Sequence, residues 1–106
     1  MYLLVLCTCP DNSVAELIGR ALVEDKLAAC VNIMPGVTSV YRWQGNVEFA
    51  AEVQLLIKTA SDKYPMLEEK INSLHPYDTP EIIALNIQQG DKHYLNWITE
   101  SLKENS

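Results

Sequence analysis

Two strand-forming arms of unusual length meet at Gln44-Gly45-Asn46, a hairpin-turn signal, and their length limits the folds open to this chain. Ala29 to Trp43 leads out and Val47 to Thr59 returns. At ~3.3 Å per residue each arm extends roughly 45 to 50 Å. A compact domain of this length has a radius of gyration of about 13 Å, hence a diameter of about 33 Å. The ribbon is therefore expected to project beyond its own core. It carries Val40, Tyr41, Trp43, Val47 and Phe49, and such apolar surface with free strand edges calls for a covering partner. The chain is expected to work as a homo-oligomer. Along the returning arm Phe49, Ala51, Val53, Leu55 and Ile57 alternate with Glu48, Glu52, Gln54 and Lys58, the pattern of a half-buried strand. Pro35-Gly36 interrupts the outgoing arm and reads as a bend or bulge within one strand, because Val37 to Trp43 continues with strand formers.

The remaining segments supply the partners of this hairpin. Tyr2 to Cys9 is nearly all apolar, as expected of a strand covered on both faces. It has no basic leader and no small-residue cleavage site, so it reads as a first strand rather than a signal peptide. Ser13 with Glu16 three residues on matches a capping box, opening a helix whose face is Val14, Leu17, Ile18, Ala21 and Leu22. Glu16, Arg20 and Glu24 lie opposite. A second helix opens around Ser61 to Tyr64, carries Leu67, Ile71 and Leu74, and stops at His75 before Pro76. Glu81 to Ile87 is a short strand, and Gly90-Asp91 starts a last helix with Tyr94, Leu95, Ile98 and Leu102 on its apolar side. The order β-α-β-β-α-β-α predicts an α+β fold. It is the ferredoxin-like split βαβ sandwich with one extra C-terminal helix, a single domain over residues 1–106.

Charge and motif content narrow the function. The net charge is −6, from 14 acidic and 8 basic residues, with no basic stripe to meet phosphates, so nucleic acid is not an expected partner. No run approaches the ~20 apolar residues of a membrane span. Cys7, Cys9 and Cys30 leave one thiol unpaired under any intramolecular pairing, which points to free cytoplasmic thiols. A Gly-rich phosphate loop, a His-Glu-x-x-His run and a nucleophile-base pair are all missing, so the chain is not read as an enzyme.

Several segments together resemble the CutA family of divalent-cation tolerance proteins. They are Leu6-Cys7-Thr8 with Pro10, Lys26-Leu27-Ala28-Ala29-Cys30, and Pro35-Gly36 followed by Ser39-Val40-Tyr41-Arg42-Trp43 and Gly45. Glu52, Ile57-Lys58-Thr59, the run His75 to Glu81, and Tyr94-Leu95 with Trp97 complete the set. The resemblance covers essentially the whole chain. It implies a tight homotrimer similar in architecture to PII signalling proteins, a cytoplasmic location and a role in tolerance of copper and other divalent metals. It also implies a copper site formed by the first-strand cysteine and two adjacent histidines, of which Cys7 and His75 match two. The third position is Leu74, a departure from that pattern.

Cys7 and His75 therefore carry two readings. Thiolate suits copper(I) and imidazole suits several transition metals. Equally, Cys7 fits a small core residue and His75 a helix C-terminus, where the dipole favours it. Cys9 shares a face with Cys7 and is a better supplement than Cys30 for the missing imidazole. No cofactor is obligatory on this reading; copper or another divalent cation is the candidate ligand. The alternative is a PII-like regulatory module that takes a small metabolite or a partner protein in a cleft between subunits. Trp43, Lys58, Tyr77, Asp78 and Glu81 are the cleft candidates, with Arg42 also available to an anion. His93 is expected to be solvated.

Overall fold

The computed structural model describes residues 1–104. Its elements are β1 (Tyr2–Cys9), α1 (Asn12–Glu24), β2 (Cys30–Trp43), β3 (Asn46–Ala60), α2 (Tyr64–Leu74), β4 (Ile82–Asn86) and α3 (Lys92–Ser101). The four strands form one antiparallel sheet in the order β2-β3-β1-β4. The ferredoxin-like α+β expectation holds, extra helix included.

The central hairpin turns through Gln44 and Gly45, both at positive φ (49° and 83°), between the paired residues Trp43 and Asn46. Two successive left-handed residues twist the chain with the strands, and glycine supplies one of them without a Cβ clash. Pairing slips between Met34 and Val37, where Gly36 takes φ +83°, so Pro35-Gly36 is a bulge inside one long strand. The ribbon does project: the molecule measures 46 × 27 × 22 Å with a radius of gyration of 14.5 Å.

Alternation sorts the sheet into two faces. Leu3, Val5, Cys7 and Cys9 of β1 lie with Val53, Leu55 and Ile57 of β3 under Ile18 and Leu22 of α1 and Leu67 and Ile71 of α2. Each fully buried aliphatic side chain here contributes roughly 1.5–3 kcal/mol of transfer free energy. Thr59, buried in the same row, spends its hydroxyl on the Leu27 carbonyl at 2.6 Å. On the other face α3 covers one end only, packing Ile98 and Leu102 on Ala29, Tyr2 and Ala60. The rest of that face is open, with Ile83 and Leu85 of β4 exposed beside Leu4 and Leu6.

Three expectations need correction. The first helix is capped by Asp11, not Ser13: the Asp11 carboxylate accepts from the Val14 amide at 2.9 Å, so the helix opens earlier than the Ser13–Glu16 box would require. Its buried face is Ala15, Ile18, Gly19 and Leu22, while Leu17 is exposed, because small residues let the helix axis approach the sheet. Gly19 lies against Val31, where a Cβ would stand 3.5 Å from the valine methyl. Phe49 and Ala51 are exposed rather than half-buried, since no helix lies beneath the outer half of the hairpin.

Candidate metal site

The site forms where the β1–β4 ladder stops. That ladder ends at the Cys7–Ile82 pair, so Thr8, although paired with Gln54 of β3, lies beyond the last partner that β4 supplies. Helix α2 ends at Leu74 because Pro76 cannot continue it, and His75 becomes the C-cap in extended conformation. This stop aims the imidazole at β1. His75 Nε2 lies 2.7 Å from the Thr8 carbonyl oxygen, and the Tyr77 amide donates to Nδ1 at 3.2 Å. A backbone amide can only donate, so Nδ1 is the bare nitrogen and Nε2 carries the ring proton.

Two thiols lie beside this ring. Cys7 and Cys9 alternate with Thr8 along β1 and so share the inward face, both fully buried. The ligand atoms of Cys7, Cys9 and His75 all lie within 4.8 Å of one another. Hydrogen bonding to Cys9, then burial and the negative charge of Glu81, push the Cys7 thiol up. The same hydrogen bond, seen from its acceptor, pulls Cys9 down against burial and the charges of Asp11 and Glu52. The two thiols titrate as a coupled pair, so the first proton leaves more readily than the second. Thiolate is the form that both nucleophilic and metal chemistry use.

The loop after His75 is tied to the sheet. The Tyr77 ring packs on His75 with centroids 4.7 Å apart, and its hydroxyl donates to Glu52 of β3 at 2.7 Å. Burial, followed by the bond to Glu52 and its charge, pushes the Tyr77 phenol up. Asp78 and Glu81 are exposed on the same loop. Two thiols and an imidazole converging in a buried cluster fit a soft or borderline transition metal.

The structure brings Cys7, Cys9 and His75 together but scatters the cleft candidates within one chain. Trp43 stands at the hairpin tip, 60% exposed. Lys58 sits near the other end of β3, bonded to Asn32 Oδ1 and, at 3.3 Å, to the Leu56 carbonyl. Cys30 is engaged elsewhere, its Sγ 3.5 Å from the Tyr94 hydroxyl, and His93 is exposed on α3. Thr8 and Glu52 hold the site, yet the sequence does not mark either as part of it. The one signal for Thr8 is its position between two cysteines; none points from Tyr77 to Glu52.

A ferredoxin-like α+β sandwich with an overlong hairpin and a Cys-x-Cys strand facing a His-Pro-Tyr corner defines a narrow class of protein. The family model for the CutA1 divalent ion tolerance protein matches residues 3–101. The chain belongs to that family. It is 53% identical over 97 residues to the divalent-cation tolerance protein CutA of Thermus thermophilus, covering 92% of this chain and 94% of that protein. Against the human protein CutA it is 47% identical over 100 residues, 92% of this chain but only 56% of the longer human one. Among solved structures, the Thermus thermophilus divalent cation tolerance protein superposes with a TM-score of 0.93 at 51% identity, covering 95% of this chain and 98% of that chain. The Xylella fastidiosa CutA gives 0.94 at 44% identity, covering 96% and 98%.

Proposed function

We propose that this chain serves divalent-metal tolerance as a homotrimeric binding protein, not a catalyst, and that Cys7, Cys9 and His75 hold copper-class cations. The observation that carries the reading is the convergence of three ligand atoms, all within 4.8 Å of one another, in a buried cluster. Cys9 takes the place that Leu74 leaves without an imidazole. A donor set of two sulfurs and one nitrogen favours copper, which also heads the divalent affinity order over cobalt, nickel and manganese. Free thiols at all three cysteines agree with a reducing compartment, and we assign the chain to the cytoplasm on that ground.

The trimer reading is supported by the open sheet face and the apolar hairpin. Val40, Trp43, Val47 and Phe49 are all more than half exposed in a single chain. The alternative, a module binding a metabolite in an intersubunit cleft, has no comparable cluster behind it among the described residues.

Copper(I) titration under reducing conditions, with Cys7→Ser, Cys9→Ser and His75→Ala alongside wild type, tests the metal site. Each serine variant is expected to lose at least about ten-fold in affinity, as removal of a ligand does. Wild-type binding in all three would place copper elsewhere and return Cys7 and Cys9 to the core.

A further inference from the structure

We propose that metal uptake at Cys7, Cys9 and His75 releases the Tyr77 corner, so that occupancy of a buried cluster is displayed by a surface loop. This regulation rests on the metal reading of the same three residues.

Both ring nitrogens of His75 are already engaged: Nδ1 accepts from the Tyr77 amide and Nε2 donates to the Thr8 carbonyl. A metal needs a bare nitrogen with its lone pair free. Coordination through Nδ1 takes that lone pair from the Tyr77 amide. Coordination through Nε2 displaces its proton; in the neutral imidazole that binds metals the proton then sits on Nδ1, facing the Tyr77 N–H donor to donor. Both routes break the Tyr77–His75 hydrogen bond. The thiols release their protons to solvent as they coordinate, so no further reactant is required.

Tyr77 carries the change outward. Its ring rests on the imidazole, and its hydroxyl is held by Glu52. Turning or shifting His75 removes the surface on which the phenol lies. Tyr77 is already 38% exposed, so the freed side chain moves toward solvent and leaves the Glu52 carboxylate uncovered. Coupling is reciprocal: an ion that opens the corner binds more tightly to a chain whose corner is already loosened.

The test uses the full chain, loaded with copper(I) from a buffered complex under reducing conditions. Ultraviolet thiolate-to-copper absorption reports uptake, and amide hydrogen exchange reports the loop. Exchange at the Tyr77 amide is expected to quicken by about ten-fold or more on loading, the loss of one protecting bond. Val5 and Ile57 in the core strands should stay protected, and Cys9→Ser should abolish both signals. Tyr77→Phe and Glu52→Ala, which cut the outer tie, should tighten copper binding by about three- to ten-fold. Uptake with unchanged exchange at Tyr77 overturns the coupling and leaves the metal site standing. Absence of uptake removes the metal site and the coupling together.

Discussion

His75 Nε2 donates to the Thr8 carbonyl at 2.7 Å at the point where β4 stops pairing with β1, so one side chain continues the edge of a sheet. The bond is buried, and Thr8 and His75 are only 8% and 7% exposed. Losing it leaves a buried carbonyl without that donor and a hole where the ring stood.

The metal-free protein should therefore weaken when His75 is truncated. His75→Ala is expected to cost about 2–4 kcal/mol, combining an unsatisfied polar group with a cavity. His75→Gln, which keeps an N–H donor, should recover part of that. Urea unfolding at one fixed protein concentration gives the comparison, since association shifts apparent stability. Equal midpoints for wild type and His75→Ala would show that the bond contributes nothing.

Helix α1 offers a cleaner discrimination between two neighbouring residues. Asp11 caps it through the Val14 amide, whereas Ser13 lies inside the first turn. Asp11→Ala should cost about 1 kcal/mol, and Ser13→Ala close to nothing. The reverse order in thermal or urea unfolding would restore the Ser13–Glu16 capping box.

That helix also shows where sequence patterns stop being informative. Asp11 and Ser13 are both good caps, and nothing local decides between them. Leu17 belongs to the apolar stripe by spacing yet is 53% exposed, while Gly19 faces the sheet. By contrast, the hairpin, its Gln44-Gly45 turn and the Pro35-Gly36 bulge are legible because period-two alternation and positive-φ residues act locally. The same holds within the site. Cys7 and Cys9 share a face by strand periodicity alone. The approach of His75 to Thr8 depends on where α2 ends in space, and the Tyr77–Glu52 bond joins segments 25 residues apart. Neither leaves a trace in local pattern.

Alkaline pH should loosen the α2 start. Burial, with help from the 2.7 Å hydrogen bond to Glu68, raises the Tyr64 phenol from the ordinary 10.0 to about 12. The folded state therefore favours the neutral phenol. Its contribution is fully present below pH 10 and is lost as pH rises toward 12, because the unfolded chain releases that proton first. Tyr64→Phe should flatten this part of the stability profile, measured as unfolding midpoint at steps from about pH 9 to about pH 12. A slope identical to wild type would assign the alkaline loss to Tyr77 or Tyr94, which are also pushed up.

The hairpin tip gives the most direct test of assembly. Trp43 is 60% exposed in one chain, and its neighbours Val40, Val47 and Phe49 are 57%, 58% and 73% exposed. None of them belongs to either core cluster, so a single subunit does not need them to fold. Apolar surface of this kind is what a second copy of the chain would cover, and large aromatics anchor such interfaces. Trp43→Asp places a carboxylate where the partner would bury it without a cation, at a cost large enough to disrupt packing. Wild type should scatter light as three chains, and Trp43→Asp should fall toward the mass of one at micromolar concentration. Its circular dichroism should keep the α+β signature, separating loss of assembly from loss of fold. A wild-type mass of one chain would rule the trimer out. A trimeric Trp43→Asp would move the interface from the hairpin tip to the open face of Ile83 and Leu85.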